Sequence, residues 1–192
     1  MFAKTREAFF EALLSQTVEN TRVGLSLRQL PEAVLRHHPR EGAWNALDCL
    51  ERLHASYAVY FPQFDTKLAT PKYPAEAQFK HGTFRRSFIE GLRPKGGKRS
   101  LKMPTSNRLT PHTSGATVDA VFEKFEADRL HLGEAIDMAR EASLNRIKLI
   151  SAVGPLFRLR LGDTFLFLAA HDERHLLQAQ EAIQAYGSDS KN

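Results

Sequence analysis

Two histidines four residues apart, in His171-Asp172-Glu173-Arg174-His175, are the side chains of this sequence best placed to do chemistry. On a helix that spacing puts both imidazoles on one face, with their Cβ atoms about 5–6 Å apart. Two imidazoles so held can grip one transition metal. They can also be hydrogen-bonded core histidines or surface residues, and spacing alone leaves these readings open. Leu168 and Ala182 share the face, which turns it toward the protein interior. The other histidines have weaker spacing arguments. His37-His38 precede Pro39 in a turn, His81 and His112 lie in a long loop, and His131 falls on the polar side of a helix. Cys49 is the only cysteine, so an intrachain disulfide and a cysteine-based zinc site are both excluded. It reads as a core side chain rather than a nucleophile, although its place in the first turns of a helix could lower its pKa slightly. No glycine-rich phosphate loop and no nucleophile elbow occurs, which argues against nucleotide-driven chemistry.

Four segments with a helical apolar period must position these groups. The first runs from about Lys4 to Val23, with Phe9, Phe10, Leu13 and Leu14 as its stripe. The second starts at Asn45, a good N-cap with Asp48 where a capping-box acid would sit, and continues through Leu47, Leu50, His54, Tyr57 and Phe61 until Pro62 breaks or bends it. The third spans about Thr117 to Ala142. Its inner face is Val118, Val121, Phe122, Phe125, Leu132 and Ile136, and its wet face Glu123, Lys124, Glu126 and Asp128. The fourth, about Asp163 to Tyr186, carries the histidine pair. Residues 147–161 read as an extended connector, because the strand-like Leu156–Leu161 has no evident partner. Pro71 to Gly115 is a long connection whose prolines argue against regular structure, with a short helix possible around Thr83 to Glu90. The pattern predicts one all-α domain over 1–192, an up-down four-helix bundle with long crossover loops.

The 192 residues are 42% hydrophobic, enough for a substantial core. There is no apolar run of membrane-span length and no signal-peptide pattern at Met1, so the expected compartment is the cytoplasm, without a membrane partner. Net charge is +5. Much of the excess sits in the proline-containing loop 80–112, where Lys80, Arg85, Arg86, Arg93, Lys95, Lys98, Arg99, Lys102 and Arg108 face one acid, Glu90. Such a loop could contact phosphates, with Phe79, Phe84 and Phe88 stacking on bases. The preferred reading is a solvated loop pinned by those phenylalanines, which makes nucleic acid an unlikely partner.

Trp44-Asn45-Ala46-Leu47-Asp48-Cys49-Leu50-Glu51-Arg52-Leu53 resembles the tryptophan-led second helix of the DinB-like superfamily. Leu161-Gly162-Asp163-Thr164-Phe165, running into His171 to Gln180, is similar to its last helix, and Phe79-Lys80-His81-Gly82 and Leu144 to Lys148 extend the likeness over most of the chain. The resemblance implies a four-helix bundle, often dimeric, in which three histidines bind a divalent metal such as zinc, nickel or iron. Members with a known role include thiol-dependent transferases and maleylpyruvate-isomerase-like enzymes. The position of the first ligand, eight residues after the tryptophan, holds Arg52 here. A guanidinium has no lone pair and cannot ligate. His54 is turned roughly 200° from that face, whereas Asp48, one turn before Arg52, is on the right side. Asp48, His171 and His175 could form a two-histidine, one-carboxylate site. Asp48 could equally pair with Arg52 or support the helix start.

Arg52, Asp48, His171 and His175 are therefore the expected pocket, with His171 and His175 as its candidate metal ligands. Two functions stay open. One is a metal-dependent transferase or hydrolase. The other is a non-catalytic module that has lost the metal and grips an anionic small molecule through Arg52. Loss of the metal is preferred, because a fixed cation beside a dication costs Coulomb energy. Trp44 is expected as a buried plug at the end of the bundle.

Overall fold

The computed structural model describes residues 3–80, 83–94, 96, 116–152 and 154–189. A short strand β1 (Ala3–Thr5) leads into α1 (Arg6–Ser26), whose first turn is capped by the Thr5 hydroxyl accepting from the Ala8 N–H. A 3-10 turn and the short α2 (Glu32–Leu35) follow, and then α3 (Ala46–Leu68). Asn45 and Asp48 form a reciprocal capping box at the start of α3. The helix does not end at Pro62 but continues to Leu68. Gln63 supports the backbone there by donating to the Val59 carbonyl (2.7 Å). β2 (Gln78–Lys80) pairs antiparallel with β1, and α4 (Thr83–Leu92) comes next. The region read as irregular between Pro71 and Gly115 thus holds a strand and a helix. Its remainder beyond Gly96, including Lys98, Arg99, Lys102, Arg108 and His112, lies outside the described residues, as do His81 and Lys95.

α5 (Val118–Met138) is capped by Thr117, and the chain then forms a hairpin of β3 (Lys148–Ser151) and β4 (Gly154–Arg160). The expectation of a partnerless connector fails here. The partner of β4 lies within the same segment, one tight turn away. Gln63 reaches from α3 to fix this hairpin, its side-chain oxygen accepting from the Ile150 N–H (2.8 Å) and its amide donating to the Ile150 carbonyl (3.1 Å). The last helix, α6 (Leu161–Asp189), begins two residues before Asp163. A Cβ on Gly162 in its first turn would fall 2.4 Å from the Phe79 ring, so only glycine lets β2 lie against the start of α6.

The described chain is mostly helical, with two small antiparallel sheets. α3 packs against α5 and α6, α1 against α6 and α5, and α4 against α6. One core unites them, formed by Phe9, Phe10 and Leu13, by Leu47, Leu50, Tyr57, Tyr60 and Phe64, by Phe122 and Phe125, and by Phe165 and Leu168. Two polar residues depart from the amphipathic pattern. Asp128 is buried rather than wet, and His54 is partly exposed rather than central, because the two meet: His54 Nδ1 lies 3.0 Å from Asp128 Oδ2. His131 likewise leaves the polar face to stack on Phe61 (4.1 Å between centroids) beside Asp65. No described helix is long and apolar enough to cross a membrane.

Candidate functional site

The contact between α3 and α6 brings Arg52 to the histidine pair. Arg52 and Ser56 stand one turn apart on α3, and the Ser56 hydroxyl donates to the Arg52 carbonyl (3.2 Å). The same hydroxyl lies 3.5 Å from His171 Nε2, at the outer limit of a hydrogen bond. His171 and His175, only 6% and 7% exposed, approach edge to face with ring centroids 4.5 Å apart. Trp44, just ahead of the α3 cap, links the two sides: its ring is 5.7 Å from that of His175 and 5.8 Å from the Arg52 guanidinium carbon. It is partly buried against the core rather than a sealed plug. Phe167 stacks on His171 at 5.5 Å, and His175 Nδ1 lies 3.1 Å from Gln178 Oε1. His171 Nδ1 is buried with no hydrogen-bond partner among the described residues.

The charges that shift His171 are all positive. Burial lowers the Arg52 guanidinium to about 10, which still leaves it protonated at neutral pH. His171 is held well below 6.5, first by burial and then by His175, Arg52 and Arg174, so its ring is neutral. Each of the charges that shifts His171 pushes it the same way. A fixed cation beside the neutral His171 ring favours an anion there.

Asp48 sits elsewhere in function. Its Oδ2 accepts from the Asn45 N–H (3.1 Å) to close the capping box and lies 3.8 Å from His38 Nδ1. Cys49 is fully buried in the core.

Behind the histidines, α6 is locked in rotation. Asp172 Oδ2 accepts from the Tyr57 hydroxyl (2.7 Å) and from Arg129 Nη1 (2.5 Å). The Arg129 guanidinium is sandwiched between Tyr57 (4.5 Å) and Phe125 (4.7 Å). Burial pushes the Asp172 carboxyl up and the neighbouring guanidinium opposes it; the Tyr57 phenol is raised by burial as well. One residue along the helix is roughly 100°, so with Asp172 fixed on α5 and α3, His171 is aimed at the Arg52 side. Of the basic segment, Arg93 is anchored on α6 and α1, donating to Glu173 (2.8 Å) and Gln16 (3.3 Å).

Spacing did not single out Ser56, Phe167 or Arg174, and Trp44 was read as a plug. Ser56 and Phe167 each stand four residues from a site residue, Arg52 and His171, which is the one signal that could have found them.

The sequence model of the DinB superfamily matches residues 16–179, which takes in every residue of this site. The chain belongs to the DinB superfamily. No curated protein and no solved structure matches it. The metal that this superfamily implies fits the residues present poorly. Two imidazoles converge, but the third corner is a guanidinium without a lone pair. Among the described residues no group of three His, Cys, Asp or Glu side chains is close enough to hold a metal, so Asp48 does not complete the set with His171 and His175.

Proposed function

We propose that this DinB-superfamily protein is a binding module for a small oxyanion, a carboxylate or phosphate, held between α3 and α6 with Arg52 as its cation. α1, α3, α5 and α6 then serve as an up-down four-helix bundle whose crossovers carry α4 and the β3–β4 hairpin. The observation that carries the reading is the half-buried guanidinium of Arg52, next to two imidazoles of which His171 is kept neutral by burial and neighbouring positive charge. A guanidinium removed from water gains most from an oxyanion that accepts two of its N–H groups in parallel. Trp44 and Phe167 give the ligand apolar walls, and Ser56 and the imidazoles offer hydrogen bonds.

A second reading, a metal-dependent transferase or hydrolase, is favoured by the 4.5 Å approach of the imidazoles and by the unpartnered His171 Nδ1. Thermal melting of tag-free protein separates the two. Phosphate should raise Tm with increasing concentration, since a ligand that binds only the folded state stabilises it by mass action. Arg52→Gln should abolish the rise and a chelator should leave it untouched. Stabilisation by Zn2+ or Ni2+ instead, lost in His171→Ala, would favour the metal reading.

A further inference from the structure

We infer that Arg52 is the residue deciding what this pocket accepts: its guanidinium keeps a metal cation from the His171–His175 pair, and replacing that one side chain by a ligating one turns the pocket into a metal site. The inference rests on the proposed function for what the natural pocket holds, but its test uses no anion.

Three contacts fix where residue 52 stands. Ser56, one turn along the same face of α3, comes within 3.5 Å of His171 Nε2. Trp44 lies 5.8 Å from the Arg52 guanidinium carbon and 5.7 Å from the ring of His175. The third is electrostatic: Arg52 acts directly on His171. A side chain springing from this position therefore enters the space shared with both imidazoles. Two imidazoles are one ligand short of the three protein ligands that hold an open zinc-type site. No third His, Cys, Asp or Glu among the described residues supplies it. Arg52 cannot supply it either, having donors and no lone pair, and its charge repels a dication. The geometry already holds two ligands on a helix whose rotation Asp172, Tyr57 and Arg129 fix from behind. On this inference the missing third ligand stands at position 52.

The test loads tag-free wild-type protein, Arg52→His and Arg52→Cys with Co2+, removes excess ion on a desalting column, and measures bound cobalt and the visible spectrum. Wild type should retain no cobalt above background. At least one variant should retain about one Co2+ per chain, with the ligand-field bands of a low-symmetry site, and lose it when His171→Ala is added. Cobalt held by wild type and lost in His171→Ala would overturn the inference. So would two variants that melt cooperatively yet stay colourless. If wild type fails to bind phosphate while Arg52→His takes up Co2+, the anion reading falls and this inference stands. Phosphate binding by wild type with both variants metal-free sinks this inference alone.

Discussion

At the scale of single residues, the proposed site depends on side chains that lie behind the histidine pair. Asp172 is the clearest of them. Its carboxylate and the Arg129 guanidinium are 1% and 6% exposed, so neither charge has water to fall back on. A buried pair of this kind contributes little net stability over apolar residues of the same shape, yet removing one partner strands the other. Asp172→Asn should therefore lower unfolding stability by about 3–5 kcal/mol. Tyr57→Phe, which deletes one neutral donor, should cost only about 1–2 kcal/mol. Urea unfolding followed by circular dichroism checks both, and equal small losses would show that the cluster does not hold α6.

His54 offers a pH signature at the same scale. Its hydrogen bond to Asp128 is the leading cause that raises its pKa above 6.5 in the folded protein. A raised folded-state pKa means that the native state binds the proton more tightly than the unfolded chain. The resulting stabilisation is fully present below pH 6.5 and is lost as pH climbs through the higher folded value. The advantage of wild type over His54→Gln in urea should thus shrink as pH rises above 6.5. It should stay below about 1 kcal/mol, because the ring is 39% exposed and screened by water. An advantage that grows with pH would contradict the assignment.

Among the elements, α3 carries the most of the design. Its capping box sets where the helix starts, and hence the phase of Arg52 and Ser56 relative to α6. The start was legible, since Asn45 and Asp48 announce a cap by type and spacing. Of the two outcomes open at Pro62, a break or a bend, the break does not occur, since the helix runs on to Leu68. A proline signals a lost N–H, but the sequence does not show the neighbouring support that Gln63 gives the helix backbone. That glutamine also reads the β3 backbone like a short strand, trading hydrogen bonds with both polar groups of Ile150. Gln63→Ala should speed amide exchange at Ile150 by at least about tenfold, the equivalent of 1.4 kcal/mol, while leaving the α5 core amides unchanged. No change at Ile150 would mean that the hairpin holds its place without α3. The hairpin was missed for a physical reason: β3 has only four residues, and no Asn-Gly pair stands in the sequence between it and β4 to mark their pairing.

For the whole molecule, the long periodic helices were readable because one face of each must be buried, and pairs such as Phe9 and Leu13, Leu47 and Leu50, Phe122 and Phe125, and Phe165 and Leu168 recur at the three- and four-residue spacing that burial demands. The histidine pair was readable because both members lie on one helix. What joins them to Arg52 was not, since Arg52 lies more than a hundred residues before both histidines and meets them only through the packing of α3 on α6, and family likeness rather than periodicity aligned them. Asp48 shows the limit of spacing. It lies one helical turn from Arg52, yet the capping box takes its carboxylate. The account therefore stands on Arg52 as an anion-binding cation. Isothermal titration of tag-free protein with phosphate tests this most directly. The expected result is saturable binding by wild type that weakens at least about tenfold, or 1.4 kcal/mol, in Arg52→Gln. Phosphate affinity unchanged by that substitution would contradict it.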